Sequence, residues 1–258
     1  MSKLWQARFF TTVNHLRELP KLDVPEIAFV GRSNAGKSSA INILCNQKGL
    51  AYASKTPGRT QFLNFFSIGG AHPAQHRKDP TDVSKIEMFL VDLPGYGYAQ
   101  VSHASKDHWN KLLGDYLMQR SQLKGVVMMM DSRHPFQKLD TELVEWFAAT
   151  GKPIHCLLTK SDKLSRSEAA KSLQLTKTVF NSYVDPQGQP FPFTVQLFSA
   201  VRRVGLEEAT QKILQWAGIP DIPAKRKMPT ADLEGKSGSR SVGGQGKPAS
   251  SRQSPDRS

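Results

Sequence analysis

The run Gly31-Arg32-Ser33-Asn34-Ala35-Gly36-Lys37-Ser38 constrains the fold more than any other stretch of the chain. It fits the pattern G-x-x-x-x-G-K-[ST] and follows Glu26-Ile27-Ala28-Phe29-Val30, an apolar run that reads as a buried strand. After it, residues 38–46 place Ile41 and Leu44 on one helical face. Strand, glycine loop and helix in that order form a cradle for phosphate. The glycines let backbone N–H groups point at phosphate oxygens, and the helix presents its positive end to them. Lys37 is expected to reach the β- and γ-phosphates of a nucleotide, and the Ser38 hydroxyl to ligate Mg2+. The motif by itself does not choose between ATP and GTP.

Further strands are expected at 62–68, 86–92, 125–130, 153–159 and 193–198, with helices near 103–119, 139–150, 167–183 and 206–216. Such alternation implies an α/β fold of the P-loop NTPase type (a Ras-like G domain). Its mostly parallel six-stranded sheet should have one antiparallel edge strand and helices on both faces. The ligand should then sit beyond the carboxyl ends of the strands, where the loops after Val30, Val91, Leu158 and Phe198 converge. Trp5, Phe9, Val13 and Leu16 fall at helical spacing before Pro20, so residues 1–24 read as a helical lead-in to a domain at 25–220. Within that domain, residues 69–85 are polar, carry two prolines and read as an enlarged surface hairpin loop. Residues 221–258 hold little that is apolar, and are expected to be a basic disordered tail.

Three later segments resemble the remaining elements of GTPases. Thr159-Lys160-Ser161-Asp162 resembles [NT]-K-x-D, in which the Asp162 carboxylate can accept two hydrogen bonds from guanine N1–H and the exocyclic amine. Adenine offers no such pair of donors, although a Lys and an Asp in a solvated loop are common enough to carry little alone. Phe198-Ser199-Ala200 resembles the segment whose backbone N–H meets guanine O6. Asp92-Leu93-Pro94-Gly95 resembles D-x-x-G, with Asp92 holding Mg2+ through water and the Gly95 N–H bonding the γ-phosphate. Thr56-Pro57-Gly58-Arg59-Thr60 lies where a threonine would complete the Mg2+ shell, and Thr60 is the better placed because it directly precedes the strand. Gln61 is not the water-orienting glutamine of Ras-like proteins; that position, after Gly95, is Tyr96. Asn34 matches the P-loop asparagine of potassium-activated relatives such as the tRNA-modification GTPase MnmE, which suggests K+ as a second cation, against a plain loop hydrogen bond.

Together, GRSNAGKSS, KTPGRTQFLNFF, DLPGYGYA, TKSD and FSA closely resemble the EngB (YihA/YsxC) family of bacterial GTP-binding proteins, within the TrmE-Era-EngA-EngB-septin group. The likeness covers roughly residues 19–219 and rests most on the two switch segments. It implies a monomeric GTPase acting in late assembly of the large ribosomal subunit, in a family also associated with cell division and septation. By position it implies nucleotide contacts at Gly31 to Ser38, at Gly58, Arg59, Thr60, Gln61 and Phe62, and at Asp92, Leu93, Pro94 and Gly95. It also implies base contacts at Thr159, Lys160, Ser161, Asp162, Phe198, Ser199 and Ala200. Lys37, Thr60 and Gly95 are the groups expected to act on the reacting phosphate, with Mg2+ on Ser38 and Thr60.

The formal net charge of +13 on 258 residues exceeds what a nucleotide needs and suits a polyanionic partner, here a large-subunit precursor with its RNA. From Ala224 onward eight Lys or Arg face three Asp or Glu, a net +5 that leaves the rest of the chain at +8. Cys45 and Cys156 each lie in an apolar stretch and read as buried reduced thiols, as suits a cytoplasmic protein. No run approaches the roughly 20 apolar residues of a membrane span. Two other classes compete with the ribosomal switch: a nucleotide-gated regulator of cell division acting through a protein partner, and an ATPase or kinase that only resembles a GTPase, which Asp162 opposes. With tyrosine in place of the water-orienting glutamine, intrinsic turnover should stay below about one GTP per second, and K+ at Asn34 should raise it. Steady-state hydrolysis by the purified protein in KCl and in NaCl checks both, and equal rates in the two salts remove the potassium site.

Overall fold

The strand that leads into the glycine loop lies at the centre of the sheet. In a computed structural model of the chain, which describes residues 2–52, 62–70, 82–96 and 103–220, β1 spans Arg8–Val13 and β2, Glu26–Gly31, is buried along its whole length. β2 pairs in parallel with β4 (Ile86–Asp92) on one side and β5 (Leu123–Asp131) on the other. β6 (Ile154–Thr159) and β7 (Phe193–Leu197) extend the parallel run, while β3 (Leu63–Gly69) pairs antiparallel with β4. The order across the sheet is β1-β3-β4-β2-β5-β6-β7.

Parallel neighbours need crossovers, and α1 (Lys37–Leu44), α2 (His103–Gln119), α3 (Lys138–Ala148) and α4 (Arg166–Phe180) lie between strands in sequence, while α5 (Leu206–Trp216) follows β7. Alternation along β2 assigns the two faces. Ile27 and Phe29 pack with Ile41, Leu44, Ile213 and Leu214 of α1 and α5. Ala28 and Val30 join a second core with Leu113, Tyr116, Val144, Phe147 and Phe180 from α2, α3 and α4. Both thiols are free and buried, Cys45 beside α1 and Cys156 on β6. Among the described residues no helix is long and apolar enough to cross a membrane. The described residues all fall in one unit, Met1–Ala224, and the expected basic tail at 221–258 lies outside them.

The N-terminus corrects the expected helical lead-in and the count of six strands. Trp5 and Leu16 fall in single 3-10 turns, Lys3–Gln6 and Leu16–Glu18, and the residues between them form β1, a seventh strand paired antiparallel with β3. The antiparallel strand is therefore β3, second from the edge, with β1 outside it. A spacing of four residues repeats on one face of a strand as well as of a helix, so the apolar positions could not decide. The run Phe9-Phe10-Thr11-Thr12-Val13 is aromatic and β-branched, which favours the pleated form. Val13 is buried and Phe10 packs its ring 5.0 Å from that of Phe89, whereas Phe9 remains 59% exposed. At the far end of β3, Gly69 pairs with Ile86, so the polar stretch between them joins adjacent antiparallel strands; residues 71–81 lie outside the described set.

Two buried polar residues need partners and have them. Glu26 opens β2 with no exposure, and its carboxylate accepts the Tyr116 hydroxyl at 2.9 Å and Arg120 Nη2 at 2.6 Å. The same Arg120 Nη2 reaches Pro20 O at 2.7 Å, tying the chain ahead of β2 to the end of α2. His155 on β6 is 1% exposed, with Nδ1 2.7 Å from Thr194 Oγ1 and Nε2 2.8 Å from Gln196 Oε1. The amide oxygen can only accept, which puts the proton of a neutral ring on Nε2. Burial pushes the His155 pKa down to about 4. The unfolded chain then binds more protons than the folded one between its usual value near 6.5 and that level. The stabilisation is complete above about pH 6.5 and is lost as pH falls toward 4, at most about 3 kcal/mol. Urea unfolding from pH 7.5 to 4.5 should show this loss in the native chain and a flatter profile in His155→Gln.

Candidate functional site

The glycine loop follows directly from the burial of β2. Gly31 ends that strand against β5, where a β-carbon would come within 3.0 Å of Met129 Cβ and O, so the loop can leave the sheet there only without a side chain. Gly36 precedes α1 at φ 92, a left-handed conformation that glycine adopts freely, and offers no side-chain cap. The first-turn N–H groups of α1 are thus available to an anion, with the helix dipole behind them. Asn34 is also left-handed, at φ 64, and exposed.

Lys37 and Ser38 open α1, and the Lys37 ammonium is hydrogen-bonded to Asp92 Oδ1 at the end of β4. Asp92 is 3% exposed. Burial pushes its carboxyl up, and the Lys37 charge and hydrogen bond draw it back down. Leu93 N bonds Phe29 O at 3.0 Å, and Leu93 and Pro94 are buried, which brings Gly95 back over the loop. The Tyr96 carbonyl accepts Ser33 N at 3.0 Å. The Tyr96 ring turns inward and its hydroxyl donates to Asp140 Oδ1 at 2.7 Å, so it offers nothing to orient a water molecule. Gly58, Arg59, Thr60 and Gln61 lie outside the described residues; Phe62, just before β3, is partly exposed.

The base-reading segments meet the loop from the other side. Thr159 Oγ1, at the end of β6, lies 2.6 Å from Ala35 O and 3.1 Å from Met130 O, so the segment is bonded to the glycine loop itself. Lys160 is left-handed at φ 57, with Nζ 3.0 Å from Asp131 Oδ2. Burial acts to raise the Asp131 carboxyl, but hydrogen bonds from Arg133 and Lys160 outweigh it and hold it well below the usual range. Asp162 Oδ1 accepts the Ser199 hydroxyl at 2.5 Å, which lowers its carboxyl and keeps it ionised. Ser199 N donates to Val204 O rather than outward, and Ser161 N bonds Phe198 O at 3.2 Å. Phe198 is buried in the core.

The structure therefore brings together Gly31 to Ser38, Asp92 to Gly95, Thr159 to Asp162 and Phe198 to Ala200 at the carboxyl ends of β2, β4, β6 and β7. Sequence reasoning missed Asp131, Arg133 and Asp140, which wall a cleft of roughly 510 Å³ beside Arg32 to Ala35 and Lys160. Their only signal was position, since Asp131 to Gln137 follow a predicted strand at the sheet's carboxyl edge. No group of three or more His, Cys, Asp or Glu gathers as a metal site among the described residues. The hydroxyl of Ser38 and the carboxylate of Asp92 are hard oxygen donors, as suits Mg2+, which takes few protein ligands and completes its shell with phosphate and water.

A family described as "50S ribosome-binding GTPase" matches residues 26–160, from the first residue of β2 through Lys160, the second residue of the segment expected to read the base. The chain is 66% identical over 223 residues to a probable GTP-binding protein EngB of Janthinobacterium sp. (strain Marseille), covering 86% of this chain and 95% of that one. A second such protein, of Herminiimonas arsenicoxydans, is 65% identical over 221 residues, covering 86% and 92%. The chain belongs to the EngB family of GTP-binding proteins. A crystal structure of a probable GTP-binding protein EngB superposes with a TM-score of 0.51 at 17% identity, over 75% of this chain and 98% of that one. A GTP-binding protein from the archaeon Sulfolobus solfataricus, in complex with GDP, gives 0.51 at 21% identity, and this chain spans about half of it, 52%. At those identities the likeness is one of fold.

EngB membership makes the chain a GTP-binding GTPase, and the base-reading geometry makes the preference testable. Asp162→Asn should weaken guanine nucleotides by about tenfold or more and favour xanthine nucleotides, whose ring places an acceptor where guanine has its amine. Titration calorimetry with GDP, XDP and ADP on both proteins measures this; equal binding of ADP and GDP by the native chain would refute the assignment.

Proposed function

We propose that this EngB protein is a cytoplasmic, monomeric GTP-driven switch in late assembly of the large ribosomal subunit, on which normal cell division and septation depend. The observation that carries the reading is the convergence of two segments on one loop. Asp92-to-Gly95 packs on the phosphate loop from one side, and the Thr159-to-Asp162 segment, bonded to Ala35, approaches from the other. GTP held between them touches both the base readers and the groups expected to sense its last phosphate. The ribosomal partner is supported by the description of the matching family and by the basic balance of the chain, which stays at +8 without residues 224–258.

Lys37 moves in this reading from Asp92 to the β- and γ-phosphates. Ser38 and Thr60 would hold Mg2+ directly and Asp92 through water, and the ion would supply positive charge to offset that of the phosphates. The buried Asp92 carboxylate would otherwise be left without a counter-charge once Lys37 departs. Thr60 orders its loop on the γ-phosphate and the Gly95 N–H meets the same phosphate, so that its loss releases the loop that carries Thr60 and the loop that follows Tyr96. Hydrolysis is slow because Tyr96 stands in the water-orienting position with its hydroxyl committed to Asp140. In the GTP state the ordered loops let a basic surface dock on ribosomal RNA.

Co-sedimentation with large-subunit precursors should depend on GTP over GDP, and its affinity should fall linearly on a log–log plot as salt rises, as phosphate contacts require. Binding that ignores the nucleotide, or that is insensitive to salt, would point instead to a protein partner in cell division.

A further inference from the structure

The residue after Gly95 is fixed at both of its ends. Its backbone pairs with the glycine loop through an Arg32–Tyr96 bridge and the 3.0 Å bond from Ser33 N to Tyr96 O. Its side chain, 6% exposed, runs into the core shared by α2 and α3, and its hydroxyl bonds Asp140 Oδ1 at 2.7 Å. Asp140 sits in the first turn of α3, is 1% exposed, and spends its other oxygen on Gln137 N at 3.0 Å. One carboxylate thus joins the start of α3 to the turn that carries Gly95. That turn lies directly on the loop, where a β-carbon built on Gly95 would be 3.5 Å from both Gly31 O and Ser33 N.

A buried carboxylate on a helix has no need of a tyrosine from another segment to complete the helix start, since Gln137 N already supplies that contact. What the tyrosine bond adds is a fixed distance between α3 and the Gly95 turn. We propose that Tyr96 and Asp140 are positioning residues for the terminal phosphate of GTP: their hydrogen bond holds the Gly95 turn against the glycine loop, so that the Gly95 N–H is in place before the nucleotide arrives. The proposal rests on the reading of Gly95 as the γ-phosphate contact. Its consequence is selective. GDP lacks the phosphate that Gly95 meets, so GDP binding is indifferent to the latch, whereas GTP binding must otherwise order the turn itself.

Tyr96→Phe removes one oxygen and keeps the buried ring. With Mg2+ present, calorimetry on the full chain should find a non-hydrolysable GTP analogue bound about tenfold more weakly and GDP within about twofold of the native affinity, with the thermal midpoint showing that the variant is folded. Asp140→Ala, which leaves the Tyr96 hydroxyl without its acceptor, should act in the same direction, and the Tyr96→Phe/Asp140→Ala double variant should be no weaker than the weaker single one, because both remove one bond. The control for the contact itself is hydrogen–deuterium exchange on the native chain, in which the Gly95 amide should exchange more slowly with the analogue bound than with GDP, since only the analogue brings the phosphate that this N–H meets. If the analogue protects that amide and Tyr96→Phe is not selective, the latch is overturned while the γ-phosphate reading stands. If Tyr96→Phe weakens GDP and the analogue alike, the bond is merely structural and the proposal is again overturned. If the analogue gives the Gly95 amide no more protection than GDP does, the γ-phosphate reading itself fails and takes the latch with it.

Discussion

Everything in this fold is referred to one strand buried on both faces. β2 lies between β4 and β5 with parallel partners on either side. Parallel pairing brings the chain back over the sheet between strands, so helices cover both faces and each returning connection starts from the same edge. That edge is where Gly31, Asp92, Asp131, Thr159 and Leu197 end their strands. Residues as far apart in sequence as Ala35 and Thr159 thereby come within hydrogen-bonding distance, at 2.6 Å. Site and core are consequences of the same pairing.

Burial at the centre also sets the electrostatics. Among the described residues three carboxylates lie within the core layers, and each is held by groups from a different element. Glu26 is matched by Tyr116 and Arg120 at the amino end of the sheet, away from the nucleotide edge. Asp92 is matched by Lys37, and Asp140 by the Tyr96 hydroxyl. A buried charge is tolerated only when paired, so these contacts fix the relative placement of loop, sheet and helix more firmly than apolar packing would. The pair at Glu26 is structural, since nothing at that end of the sheet has to move. In the proposed function the nucleotide also attracts Lys37, so it is the pair at Asp92 that would exchange partners.

Much of the architecture was legible because the apolar patterns were long and bounded by clear breaks. The strand at 86–92 and the helices at 103–119 and 206–216 appear with the ends expected of them. The N-terminal segment was not legible, because a spacing of four, as between residues 9 and 13, repeats on one face of a regular helix or a regular strand, and only pairing with β3 selects the strand, with a bulge between Phe9 and Thr11 that puts Phe9 and Val13 on different faces. Asp140 escaped notice for the opposite reason. A charged residue in an amphipathic helix is expected to face solvent, yet here it shares the inward face with Val144 and Phe147 because a tyrosine from another loop meets it.

What the sequence determined alone was local chemistry: a glycine loop before a Lys-Ser helix start, a carboxylate suited to guanine, and a tyrosine where a glutamine would be needed. Those properties are carried by residue type at fixed spacing along a few consecutive positions, and they do not depend on what lies across the sheet. The tertiary structure decided which distant groups complete them. Ser199 keeps Asp162 ionised, Thr159 ties the base-reading segment to the phosphate loop, and Asp140 anchors Tyr96 from α3. None of these pairs is closer than 37 residues in sequence. A hydrogen bond between such positions exists only once the sheet has set their distance, because no local pattern encodes the partner of a polar side chain.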